Sequence, residues 1–344
     1  MLMVPCLLLL AGLGQAGKLH WQGQESHAKA RFRGLAVSPS GAVWATGADG
    51  TVRVKTADAK AFEAVTVPDS EGYDFRDVES LDANQVVLLA IGEGEKSRIL
   101  KSTDGGQTWS TRYVMKDPKG FLDALAFWDK DHGVALGDPM NGRFSILTTD
   151  DGGETWSPIP EPARPQARDG EGAFAASGTC LAVAGTNRAW FCTGGAGPAR
   201  VFRSTDRGRT WTAHDTPIPA ANASSGLFSV AFQDDVHGVV VGGDYRETQK
   251  AGPVVAVSAD GGVTWKIPSG RLPVGLRSAV APVPGTFGQA WITVGPAGSD
   301  LSLDNGQSWQ PIPGDGFHAV GSAGQSTSWA VGEAGRVGRL RFGK

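Results

Sequence analysis

Ser102-Thr103-Asp104-Gly105-Gly106-Gln107-Thr108-Trp109 returns four more times along this chain. The later copies are Thr149-Asp150-Asp151-Gly152-Gly153-Glu154-Thr155-Trp156, Ser204-Thr205-Asp206-Arg207-Gly208-Arg209-Thr210-Trp211, Ser258-Ala259-Asp260-Gly261-Gly262-Val263-Thr264-Trp265 and Ser302-Leu303-Asp304-Asn305-Gly306-Gln307-Ser308-Trp309. What repeats is a hydroxyl, an Asp two residues on, a Gly two further, a second hydroxyl and a Trp. An Asp followed at that distance by Gly describes a tight turn, in which the carboxylate accepts from its own backbone amides and the Gly takes φ > 0. The first hydroxyl then ends one strand, and the Trp opens the next, folding back over the hairpin to be buried between neighbouring units. The acidic residues Asp104, Asp151, Asp206, Asp260 and Asp304 are accordingly structural, as are Trp109, Trp156, Trp211, Trp265 and Trp309. The octet lacks the closing Glu of a calcium loop, so no metal is expected there.

The tryptophans stand 47, 55, 54 and 44 residues apart, the length of one four-stranded propeller blade. A second pattern has more copies: Val43–Gly47, Val87–Gly92, Gly133–Gly137, Trp190–Gly194, Gly238–Gly242, Trp291–Gly295 and Trp329–Gly332 each read as an apolar strand ending in Gly. Seven copies predict an all-β, seven-bladed propeller of four-stranded antiparallel blades. The first unit carries a decayed octet around Thr56-Ala57-Asp58, and the last stops after Arg336–Phe342 with none. Residues about Lys18–Gly23, with Trp21, precede the first inner strand and are placed to supply the missing outer strand, closing the ring without an exposed edge.

Composition agrees. Gly (49) and Pro (20) together make about a fifth of the 344 residues, which disfavours long helices. Hydrophobic residues at 40% and charged ones at 19% suit a large core and exclude disorder. A net charge of −3 speaks against nucleic acid as the main partner. Residues 1–16 read as a secretory signal, with the apolar run Val4–Ala11 and small residues at Gly14 and Ala16, so residues 17–344 form the mature propeller domain, exported to the periplasm or beyond. In an oxidising compartment Cys180 and Cys192, in one β-rich segment, are either joined or both buried as thiols.

With these residues in view the chain resembles the Asp-box (BNR) repeat propellers, and most of all the bacterial relatives of the photosystem II stability and assembly factor. Its Phe32-Arg33-Gly34-Leu35, His132-Gly133-Val134, Gly137-Asp138 and Ser102–Trp109 phrases carry that likeness. A more distant likeness is to sialidases. Fold analogy does not choose among functions, which must come from a site.

In a blade, the inner strand begins, and the second strand hands over to the third, on the face opposite the octets. The inner-strand starts read Arg33, Arg76-Asp77, Asp123, Glu171, Phe228, Arg277 and His318, and the loops add Glu93, Glu95, Asp138, Arg143, Asp244-Tyr245-Arg246 and Glu333. Guanidiniums from Arg33, Arg76 and Arg277 in one pocket would grip a carboxylate bidentately. Alternatively Arg33 and Arg76 pair with Asp77, Asp123 or Glu171 and knit neighbouring blades together. Asp138, Arg143, Asp244, Arg246 and His318 complete the candidate ligand-binding crown. His132 and His237 both precede Gly at a strand entry and read as turn residues; no cofactor, phosphate loop or hydrolase elbow is implied.

Resemblance to the assembly factor implies a monomeric, exported, non-enzymatic scaffold that holds a protein partner with an acidic segment, or a carboxylated small ligand, at the Arg-rich mouth, peripherally associated with a membrane complex. Resemblance to sialidases implies instead a glycoside hydrolase acting on an acidic sugar. That mechanism would need the three arginines as a clamp, Asp77 or Asp123 as acid, and Tyr245 with Glu171 or Glu333 as nucleophile pair. The chain departs from the sialidase opening at Gly34-Leu35 and has only three Tyr.

Overall fold

The computed structural model describes residues 19–38, 40–285, 289–323 and 327–342. The expected signal at 1–16 lies outside the described residues. Seven antiparallel sheets stand around one axis as blades. Their inner strands are Phe32–Val37, Asp74–Ser80, Leu122–Phe127, Leu181–Ala184, Ser225–Phe232, Ala279–Pro282 and Ala319–Ala323. Each inner strand packs on the next, and the first packs on the last, so the ring is closed. The seven apolar stretches read from sequence fall on the second strands, from Val43–Gly47 in blade one to Thr327–Val331 in blade seven. They are buried on both faces because blades lie against blades. Trp44 and Val52 of blade one, for instance, share one cluster with Val78, Leu88 and Leu100 of blade two.

The ring closes as expected. Leu19–Gln24 pairs antiparallel with Val337–Phe342, with Trp21 opposite Leu340, and becomes the outer strand of blade seven. Blade five departs from the four-stranded plan and has three strands. Its fourth strand shrinks to a bridge between Val257 and Lys266. Continuing that register would set Pro268 opposite Val255, and a residue without an N–H cannot extend a ladder.

The octets form the turns that their sequence describes. The Ser102 hydroxyl accepts from the Gly106 amide at 2.8 Å and donates to Asp104 Oδ1 at 2.9 Å. Asp104 accepts from the amide and the hydroxyl of Thr108 at 2.8 and 2.6 Å, and these bonds draw its carboxyl down to about 2. The Trp109 indole N–H donates to the Gly106 carbonyl at 3.1 Å. Gly106 has φ 91°, and a Cβ there would come within 2.9 Å of Trp44 in the preceding blade. The octet is thus a clasp onto the neighbour as well as a turn. The decayed copy keeps a turn, with the Ala59 amide on the Thr56 carbonyl at 3.2 Å, but Asp58 is exposed and caps nothing among the described residues. No helix among the described residues is long and apolar enough to cross a membrane.

Candidate binding site at the channel mouth

Four inner strands carry one extra residue near the face opposite the octets. Pairing steps from Phe32 to Gly34, from Phe75 to Asp77, from Leu122 to Ala124 and from Leu227 to Ser229. The residues left out of the ladder are Arg33, Arg76, Asp123 and Phe228, and all four line one cavity of about 680 Å³. A bulge re-aims its side chain, which is how four equivalent positions come to face one axis. In three of these four blades a Gly ends the second strand at the bulge, while blade two has Ala90 there, opposite Phe75. A Cβ on Gly47, Gly137 or Gly242 would lie 2.1, 2.4 or 2.0 Å from the carbonyl oxygen of Arg31, Phe121 or Gly226 respectively. At these three positions Gly leaves room for that backbone.

Blade four is built differently from the sequence reading. Its inner strand begins at Leu181 rather than near Glu171, and the segment Ala173–Thr179 crosses the channel as a plug. Phe174 stacks on Phe228 of blade five at 4.2 Å. The Ser177 hydroxyl donates to the Ser278 carbonyl in blade six at 3.0 Å, and the Thr179 hydroxyl to Ser229 Oγ at 2.7 Å. From across the channel, Arg33 Nη1 donates to the Ala176 carbonyl at 3.3 Å and Arg76 Nη1 to the Ala175 carbonyl at 2.6 Å. Gly178, at φ 75°, passes Asp77 so closely that a Cβ would stand 2.3 Å from Oδ1. The plug floors the mouth cavity and separates it from a smaller space of about 200 Å³ lined by Asp77 and Glu79.

The arginines expected to act together are divided. Arg277 is buried, with Nε and Nη2 on Asp300 Oδ2 at 2.9 and 2.6 Å, and does not line the cavity. The third strand supplies that partner, and the clamp of three is corrected to two. Arg76 is held by Asp74 Oδ2 at 2.9 and 2.8 Å rather than by Asp77, Asp123 or Glu171. Arg33 stands apart: among the described residues no carboxylate lies within ion-pair reach, and its buried Nε has no hydrogen-bond partner. Burial, then the adjacent Arg76 and Arg31, pull its guanidinium down to about 10.

Around it, Asp123 is buried with Oδ2 unpartnered, and burial together with the neighbouring Asp138 raises its carboxyl well above the usual range. Burial pushes Asp138 up to about 6, against the amide of Ala173 that it accepts at 3.1 Å. Burial and Arg33 hold His318 down at about 4, so its imidazole is neutral. Its Nε2 bonds Glu333 Oε1 at 2.6 Å, leaving Nδ1 unpartnered. Arg336 completes the charged lining and donates to the Gly316 carbonyl at 2.7 Å.

Other candidates serve the frame. Glu171 is buried, accepts from the Thr193 hydroxyl at 2.6 Å and Arg200 Nε at 2.8 Å, and lies outside the cavity lining. Asp77 sits beneath the plug, capping the amides of Val78 and Leu125 at 2.9 and 2.8 Å. Arg143 donates to the Arg164 carbonyl at 2.8 Å, and Asp244 caps its own loop through Asn222 and the Arg246 amide, with Arg246 exposed. Glu93 and Glu95 are exposed beside a 3-10 turn. His132 and His237 bond Asp129 and Asp234 at turn positions. Tyr245 lines the cavity, packed edge-on against Phe174 and Phe228, and its hydroxyl meets no carboxylate among the described residues. With Arg277 and Glu171 committed elsewhere, the sialidase-type constellation is not assembled from these residues. Cys180 and Cys192 are free thiols facing across the first pair of strands in blade four, with the Cys192 amide on the Cys180 carbonyl at 2.9 Å.

The sequence reading missed Phe174, Ala175, Ala176, Leu276 and Arg336. Gly178 amid small residues was the available sign of the plug, since a β-strand seldom keeps such a stretch.

The family described as Photosynthesis system II assembly factor YCF48 matches residues 13–144, and the BNR/Asp-box repeat matches residues 147–158. No curated protein matches the chain. Among solved structures, YCF48 bound to D1 peptide is 18% identical, with a TM-score of 0.63 over 93% of this chain and 96% of that one. YCF48 from Cyanidioschyzon merolae is 14% identical, with a TM-score of 0.68 over 94% and 99%. The GH74 enzyme of Niastella koreensis is 17% identical, with a TM-score of 0.63 over 93% of this chain and 53% of its own. Identities this low speak to the fold, which hosts both binders and hydrolases. The chain is an Asp-box repeat β-propeller similar to the photosynthesis system II assembly factor family.

Proposed function

We propose that this protein is a non-enzymatic binding scaffold that holds a segment of a protein partner at the channel mouth, with Arg33 gripping a carboxylate of that segment. The observation that carries the reading is Arg33 itself, a partly buried guanidinium at a blind cavity with no carboxylate in ion-pair reach among the described residues. A desolvated, unpaired charge is costly, and a ligand carboxylate would offset that cost. The structure of YCF48 bound to D1 peptide supports a protein as the partner class. A monomer exported behind the residue 1–16 leader and working beside a membrane complex fits the apolar N-terminal run.

Capture from detergent-solubilised envelope of the native host tests it, using the mature domain and an Arg33→Gln variant side by side. One protein retained by the wild type and lost by the variant is the expected result. Equal retention by both removes the mouth as the partner site.

A further inference from the structure

The mouth is divided by chemistry around the ring. Among the described residues, every charged residue of its lining comes from blades seven, one, two and three: Glu333, Arg336, Arg33, Arg76, Asp123 and Asp138. Blades four, five and six contribute none, and present Phe174, Phe228, Tyr245 and Leu276 instead. The apolar side continues outward. Tyr245 is 47% exposed, and Val274, two residues before Leu276, is 60% exposed, the largest value for a big apolar residue among the described residues.

We infer that the partner segment carries a bulky aromatic or aliphatic side chain close to its carboxylate, the carboxylate at Arg33 and the apolar anchor on the wall of Phe174, Phe228 and Leu276. The inference rests on the binding reading above and adds the anchor to it. A purely acidic segment would satisfy Arg33 and leave the apolar half wet. At about 680 Å³ the cavity has room for more than a carboxylate. The two sides also demand adjacency, because Arg33 reaches across the channel to the Ala176 carbonyl, two residues from Phe174 on the same plug. A charged group at Arg33 is therefore within a residue or two of the apolar wall. Anchors of this kind carry most of the energy of an interface, with rim charges setting orientation and rate.

Selection from a random 12-residue peptide display library on the immobilised mature protein tests this, with Tyr245→Asp, Val274→Asp and Arg33→Gln as parallel targets. Tyr245 and Val274 are exposed, so these substitutions leave the core intact. We expect enriched peptides to join Asp, Glu or a free carboxyl terminus to Phe, Tyr, Trp, Leu or Ile within two residues, and to lose at least tenfold in affinity on each variant. Enriched acidic peptides without an apolar residue, weakened only by Arg33→Gln, overturn the anchor and leave the binding reading standing. Peptides indifferent to all three substitutions, or no enrichment at all, overturn both.

Discussion

Arg33 and Arg277 read alike in sequence but stand one residue out of step: the amides of Phe32 and Arg277 both donate to the Gly carbonyl of the preceding blade, Gly332 and Gly242, so Ser278 holds the place of Arg33 at the mouth. Set one residue earlier, Arg277 leaves the cavity lining and is taken up by Asp300, 23 residues on, in the third strand of blade six. A register step of one residue is invisible to local pattern, whereas the octet turns, whose side-chain caps close within four residues, were legible. Two predictions belong to single residues. Replacing Arg33 with Met should raise stability by about 1 kcal/mol in denaturant unfolding while abolishing partner capture, because an unpaired, desolvated charge is retained for function. Trp309→Ala should cost about 3–5 kcal/mol in the same assay, since this fully buried indole seals blade six against blade five.

At the scale of elements, the second strands and the closing N-terminal strand were legible because their patterning repeats. The plug was not, because the bonds that hold Ala173–Thr179 across the channel run to Arg33, Arg76, Ser229 and Ser278, far away in sequence, and Gly178 amid small residues was its only local sign. The three-stranded blade five likewise turns on one Pro268. The bulges tie sequence to site most directly, since the Gly at the end of a second strand is where the inner-strand backbone intrudes. Gly137→Ala should therefore destabilise by about 2 kcal/mol or more, through its clash with the Phe121 carbonyl, and weaken binding by moving Asp123. A variant with unchanged unfolding would contradict that account of the bulge.

For the whole molecule, charge at the mouth is set by pH. Asp138 keeps its proton in the folded state up to about pH 6, above its ordinary value, with Asp123 raised beside it. The fold therefore loses stability as pH rises from about 4 through 6, where the unfolded chain would already be ionised. Through the same range the mouth gains negative charge. Affinity for a carboxylate-bearing peptide should fall between pH 5 and 8, and Asp138→Asn, which keeps an oxygen for the Ala173 amide, should flatten that profile in titration calorimetry.

The claim that the plugged mouth, rather than the octet face, is where the partner binds has a direct test. A photo-crosslinking amino acid is placed at Tyr245 on the mouth, or at Leu303 in the octet of blade six on the opposite face, both exposed. Irradiation in native envelope should join the partner to the first position and leave the second unlinked. Crosslinks at Leu303 with none at Tyr245 would contradict the account.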